Sequence, residues 1–138
     1  MADPGRQNER TIRQLFDEVV NGQQYDRIPR YCAPEVMMHR PGDVVIEGRE
    51  AYANHYQELH AAFPDFETAR TDVVADSDRV ATRFVVTGTH EGELLGLEPT
   101  GTQVRFSAQV LFRLADGTVT AEFHQSDRTS LREQLREE

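Results

Sequence analysis

The chain has no lysine, no tryptophan and a single cysteine among its 138 residues. All 15 basic residues are arginine, set against 24 carboxylates, and the formal net charge is −9. Nucleic acids and anionic membranes are held by basic faces, so neither is expected as a partner. Without lysine there is no amine side chain to form a Schiff base with a carbonyl substrate. The lone Cys32 excludes an intrachain disulfide and any cysteine cluster for a metal. Flanked by Tyr31, Ala33 and Pro34, it reads as a small buried hydrophobe, with a nucleophilic thiol as the alternative. No apolar run approaches the roughly 20 residues of a membrane helix, and residues 1–10 lack the apolar segment of a secretory signal. A cytoplasmic location is the expectation. An acidic surface with arginine in place of lysine also suits a halophilic source, although a GC-rich coding bias would give the same substitution.

Apolar residues make up only 38% of the chain, but they are clustered. The length suits one domain with a real core and is too short for two ordinary ones. Residues 1–7 read as a disordered lead-in and 8–138 as a single domain. Ile12, Leu15, Phe16, Val19 and Val20 recur at helical spacing until Asn21-Gly22 stops them. A short helix over 28–32, capped by Asp26, ends at Pro34. Residues 36–39 and 44–46 form short strands around a Pro41-Gly42 turn. A third helix runs from Gly48 to Pro64, with Tyr52, His55, Tyr56, Leu59 and Phe63 on one face.

Thereafter the period changes from 3.6 to 2. Strands are expected over 66–75, 80–86, 104–114 and 119–127, with a tight hairpin at Asp116-Gly117. The charged tail 129–138 reads as a helix, with Ser130 and Glu133 able to form a capping box. Helices followed by consecutive strands describe an α+β domain, a curved antiparallel sheet with helices on one face. Between two of the strands lies T-G-T-H-E-G-E-L-L-G-L-E-P-T-G (87–101). This turn-rich segment carries His90 where a pocket mouth could form, and its leucines suggest a lid or a partner surface. The plainer alternative is a loop folded onto the core.

Several fragments share an order and spacing: F-D-E-V-V-N-G (16–22), M-H-R-P-G (38–42), G-R-E-A-Y (48–52), F-P-D-F (63–66), T-G-T-H-E-G with P-T-G (87–101) and F-R-L-A-D-G-T-V (112–119). With Asp127 ahead of Gln134-Leu135, they resemble the SnoaL-like polyketide cyclase family of the nuclear transport factor 2-like superfamily, over about residues 8–135. The resemblance implies a cone-shaped curved antiparallel sheet with N-terminal helices packed on its concave face, around a pocket. It implies ring closure of a hydrophobic small molecule by an intramolecular aldol reaction, with no metal and no cofactor. A carboxylate late in the final strand removes a proton alpha to a carbonyl, and a histidine or other donor stabilises the enolate. Asp127 occupies that place. Where the family often has Trp in W-x-x-x-D, this chain has Phe123.

If the last strand is regular, Asp127 faces the same apolar side as Val119, Ala121 and Phe123. Desolvation there would raise its pKa toward that of a useful base. Its other reading is the N-cap of the tail helix. His90 shares a face with Val80, Phe84 and Val86 and could donate to an enolate oxygen, or could simply bond backbone. His39 is a third catalytic candidate by its family match, or else anchors the Pro-Gly turn. Tyr52, His55, Tyr56, Phe63, Phe66, Phe84, Phe106 and Phe123 are candidates to line an aromatic substrate pocket, with plain core packing as their alternative. His60 and His124, the latter out of phase with Asp127, are expected to be peripheral. The histidine spacings do not match a zinc site.

Three functions compete. The first is a cofactor-independent cyclase or related proton-transfer enzyme with Asp127 as base. The second is an epoxide hydrolase-like enzyme, for which no Asp–Arg–Asp set is evident because Arg83, Arg105 and Arg113 lie opposite the apolar rows. The third is a non-catalytic small-ligand-binding or dimerisation module. A homodimer formed through the outer face of the sheet is expected in each case.

Overall fold

In the computed structural model, the described residues are 3–94 and 96–136. Met1 and Ala2 of the expected lead-in, Leu95 of the 87–101 segment, and Glu137 and Glu138 of the expected tail helix lie outside them. The first helix, α1, spans Pro4–Leu15. Its start corrects the expected disorder of residues 4–7. The Asp3 carboxylate accepts from Gly5 N at 2.9 Å, and proline at the first helical position has its φ already set for a helix. The helix then widens into a π-turn over Phe16–Val20, where Asn21 N donates to Phe16 O at 2.8 Å. Ile12, Leu15, Phe16, Val19 and Val20 are buried, as their spacing requires.

Short turns lead through α2, Ile28–Tyr31, into β1, Cys32–Arg40, and its return strand β2, Val44–Glu47. Helix α3 spans Arg49–Ala62 and starts after Gly48, whose φ of 89° is costly for any residue with a Cβ. The chain continues as β3 (Glu67–Ala75), β4 (Arg79–Thr89), β5 (Gln103–Ala115) and β6 (Thr118–Ser126), and ends in α4, Arg128–Arg136. The β5–β6 turn is Asp116-Gly117, with φ 52° and 78°, as a two-residue hairpin demands.

The six strands make one curved sheet in the order β2-β1-β6-β5-β4-β3. The expectation of a wholly antiparallel sheet needs one correction, because β1 and β6 pair in parallel. These strands stand far apart in sequence and are joined by a long crossover rather than a hairpin, which is the connection a parallel pair needs. The helices cover one face. There Phe16 packs edge-on against Phe84 and Phe112, with ring centroids 5.1 and 6.0 Å apart. Among the described residues, no helix is long and apolar enough to cross a membrane.

Paired residues on the opposite face form a row across all six strands: Val45, His39, Phe123, Leu111, Ala81 and Val74. Val45, Phe123 and Val74 are exposed. His39 and Phe123 stack with centroids 4.5 Å apart and planes 3° apart. The Arg113 guanidinium lies over the Phe123 ring, 5.5 Å from its centre.

Candidate functional site

One residue decides which side chains of β6 reach the interior. Leu114 pairs with Val119, but the preceding residue, Arg113, pairs with Ala121. Thr120 is therefore an extra residue, a β-bulge, and its hydroxyl donates to Arg113 O at 3.2 Å. Because strand side chains alternate, one inserted residue exchanges the two faces of everything beyond it. Val119 is buried as expected, but after the bulge Glu122, His124 and Ser126 turn inward, while Phe123, Gln125 and Asp127 turn outward.

Glu122 is fully buried, and His124 beside it is 10% exposed. Tyr52 on α3 donates its hydroxyl hydrogen to Glu122 Oε2 at 2.6 Å. His124 Nε2 lies 2.7 Å from the other carboxylate oxygen, and its Nδ1 lies 3.2 Å from Arg40 Nη1, which comes from the end of β1. A guanidinium can only donate, so Nδ1 accepts, and the imidazole proton resides on Nε2 and points to Glu122. The chain Arg40–His124–Glu122–Tyr52 is thus satisfied in one sense only, and it fixes the histidine tautomer.

This chain borders a cavity of about 120 Å³ between helices and sheet. Arg40 and His124 line it, while Glu122 stands behind them. Burial pushes the pKa of Arg40 down from its ordinary value, and the nearby like charge of Arg128 adds to this. His55, also on the wall, is pushed down to about 3 by burial first and by the Arg40 charge second, so it stays neutral. The rest of the wall is largely apolar and aromatic, with Phe84, Phe106 and Phe112 from the sheet and Phe16 from the π-turn; Phe112 pairs across the sheet with Glu122 itself. Leu94 of the 87–101 segment also borders the cavity, held by a bridge with Leu97. Among the described residues no carboxylate lines this cavity, and no group of three or more His, Cys, Asp or Glu is arranged to hold a metal ion.

Tyr52, His55, Tyr56, Phe63, Phe66, Phe84 and Phe106 all stand on the wall. Phe123 does not. The bulge sends it to the outer face, where it stacks on His39, which β1's own alternation turns away from the cavity that Arg40 lines. Asp127 is also corrected in place. It is exposed, and its carboxylate accepts Ser130 N at 3.0 Å as the cap of α4, a role the sequence had also offered to Ser130. His90 faces inward and is fully buried, but it is not on the cavity wall. Thr100 N donates to its Nδ1 at 3.3 Å and the Thr100 hydroxyl lies 3.0 Å from the same atom, so the ring anchors the loop. His60, expected at the periphery, is buried between Tyr25 OH at 2.6 Å and Val20 O at 2.7 Å. Burial also keeps the Cys32 thiol far above its ordinary pKa, which suits a core residue rather than a nucleophile.

Sequence reasoning missed Glu122, His124 and Arg40. The available signal was the polar alternation Glu122, His124, Ser126, which makes sense only if a bulge precedes it. Hydrophobicity argued the other way, for burying Phe123.

The family model of the SnoaL-like polyketide cyclases matches residues 10–135. A protein from Jannaschia sp. CCS1, assigned as a SnoaL-like polyketide cyclase, has the same fold with a TM-score of 0.91 and 26% identity, covering 98% of this chain and 95% of its own. IdmH from Streptomyces antibioticus, assigned as a polyketide cyclase, follows at 0.83 and 29%, with coverages of 94% and 98%. AclR from Streptomyces galilaeus, assigned as a hydroxylase, shares the fold at 0.82 and 24%, with coverages of 94% and 81%. No curated protein matches the sequence. The match extends from α1 to α4 and takes in every element that surrounds the cavity; the chain belongs to the SnoaL-like polyketide cyclase family.

Proposed function

We propose that the chain is a cofactor-independent enzyme that removes a proton alpha to a carbonyl of a hydrophobic small molecule and so promotes aldol-type ring closure. In this reading the base is His124 rather than Asp127. The observation that carries it is the one-way hydrogen-bond chain that ends at the cavity, with His124 Nδ1 as its acceptor.

A substrate carbonyl oxygen takes the place of Nδ1 as acceptor for Arg40. The Nδ1 lone pair is then free to take the α-proton, and the electron pair of the broken C–H bond passes to the carbonyl oxygen as an enolate. Arg40 stabilises that oxygen in a site shielded from water. Glu122, accepting from Nε2–H, stabilises the imidazolium as it forms. The enolate carbon attacks a second carbonyl of the same molecule, and Nδ1–H returns its proton to the new alkoxide. Tyr52 positions the carboxylate through its hydroxyl.

The test is exchange of the α-protons of 4-phenylbutan-2-one into heavy water, followed by NMR. The wild type should accelerate exchange, and His124→Ala should lose at least about 100-fold, the lower range for a positioned general base. Asp127→Asn should retain the wild-type rate. Exchange that survives His124→Ala, or disappears in Asp127→Asn, overturns the assignment. Absence of any exchange would favour the ligand-binding module.

We further propose that two copies pair through the outer face of the sheet. The apolar row through Phe123 and Leu111 gives such an interface an interior, and Val45 and Val74 extend it. Sedimentation should give about twice the 15.7 kDa chain mass, and Phe123→Glu should return it to one.

A further inference from the structure

Among the described residues, the wall of the cavity carries two arginines and no carboxylate. Arg40 and Arg128 both line it, and neither forms an ion pair among the described residues. The nearest candidate, Glu122, is already committed to Tyr52 and His124. Asp127 is next to Arg128 in sequence, but its carboxylate is turned to the start of α4. In a chain of net charge −9, two guanidinium groups therefore share one partly dry space with no carboxylate on its wall. Like charges held together away from water repel; burial is the main cause of the depressed pKa of Arg40, and the Arg128 charge adds to it while Tyr56 and Glu122 oppose it. A group of opposite charge between them would relieve the repulsion and receive directed N–H donors.

The rest of the space limits what can carry that charge. An engineered cavity of about 150 Å³ in another protein binds benzene. The space here, about 120 Å³ by comparable measure, is walled in large part by phenyl rings. It encloses one ring-sized apolar group.

We propose that the ligand is an anion: a carboxylate with one ring-sized apolar group, its carboxylate held by Arg128 and Arg40 and its ring against the phenyl rings of the wall. Arg128 is the specificity-determining residue in this arrangement, and it selects acids over neutral esters or amides of the same shape. The inference builds on the reading of this cavity as the reacting site, but its test reads binding alone. Loss of α-proton exchange with the acid preference intact would defeat only the proposed chemistry.

The experiment is calorimetric titration of the full chain, at low ionic strength, with 3-phenylpropanoate and with the near-isosteric neutral 3-phenylpropanamide. The acid should bind about tenfold more tightly, the equivalent of one charge-assisted hydrogen bond, and added salt should reduce the difference. Arg128→Gln should bring acid and amide to within about twofold by lowering affinity for the acid alone, since the charge that assists that bond is gone. Arg128→Lys, which keeps the charge, should retain most of the preference. Equal affinities in the wild type, a preference unchanged in Arg128→Gln, or no binding of either compound would overturn the proposal.

Discussion

Replacing Glu122 by glutamine tests whether the buried carboxylate is held by the two donors assigned to it. The substitution keeps the side chain's shape and removes one acceptor. If the amide oxygen faces His124, the amide N–H₂ meets the Tyr52 hydroxyl, now 2.6 Å from the carboxylate. Tyr52 must then accept, and its own O–H is left without its partner. If the amide nitrogen faces His124 instead, the imidazole proton must move to Nδ1, where it meets the Arg40 guanidinium at 3.2 Å. Each arrangement strands one buried donor, at about 1–3 kcal/mol, and converts a charge-assisted bond to a neutral one, at about 1 kcal/mol. Relief of the cost of burying a charge opposes these losses, though the two donors have already offset much of it. The net expectation is a destabilisation of about 2 kcal/mol. With an unfolding entropy of about 2.1 cal/mol/K per residue, a chain of this size loses roughly 7 °C in Tm for that change. Circular dichroism melts, checked by urea unfolding, measure it. In the double variant with Tyr52→Phe the losses should be less than additive, because both changes break the same bond. A Tm that is unchanged or raised in Glu122→Gln would refute the reasoning.

Three further outcomes follow from the geometry. Asp127→Ala should cost about 1 kcal/mol of stability and Asp127→Asn almost none, because both the acid and the amide cap a helix; equal losses in urea titrations would contradict the cap. The His55 imidazole has a folded pKa of about 3 against an ordinary 6.5, so the unfolded chain takes up the proton first. Stability present above pH 6.5 is then lost as pH falls toward 3, at up to about 1.4 kcal/mol per pH unit; urea unfolding at pH 6.5 and 5 should show a smaller drop in His55→Gln than in the wild type. At Gly88 a Cβ would lie 3.1 Å from the Phe63 Cβ and ring. Gly88→Ala should therefore displace a cavity-wall residue and cost about 1–3 kcal/mol, and a fully retained Tm would mean that Phe63 shifts freely.

The legible parts of the fold were those written in periodicity. The helical spacing from Ile12 to Val20, the aromatic face of α3 and the alternation in β4 and β5 fixed the two layers, and the cavity wall follows from them. The legible part of the site ended at Val119. A bulge leaves no mark in composition, and Thr120 differs in no visible way from Thr118, so regular alternation pointed to Phe123 and Asp127. Backbone pairing across three strands, rather than any local preference, decides that a glutamate is buried and a phenylalanine exposed. Arg40 was hidden for a related reason, since only the parallel pairing of β1 with β6 brings it beside His124.

Thr120 makes the end of β6 a strip with two alphabets. One set of letters, Glu122, His124 and Ser126, is read by the interior; the other, Phe123, Gln125 and Asp127, is read by solvent. Removing the single threonine would not merely loosen the sheet but would exchange the sets. The outer face would receive the glutamate and histidine, and the interior would receive a ring and the late carboxylate. Point substitutions change such a site one group at a time, whereas a one-codon deletion or insertion at this bend would exchange all of its β6 groups in a single step while leaving the wall residues of α3, β4 and β5 where they are.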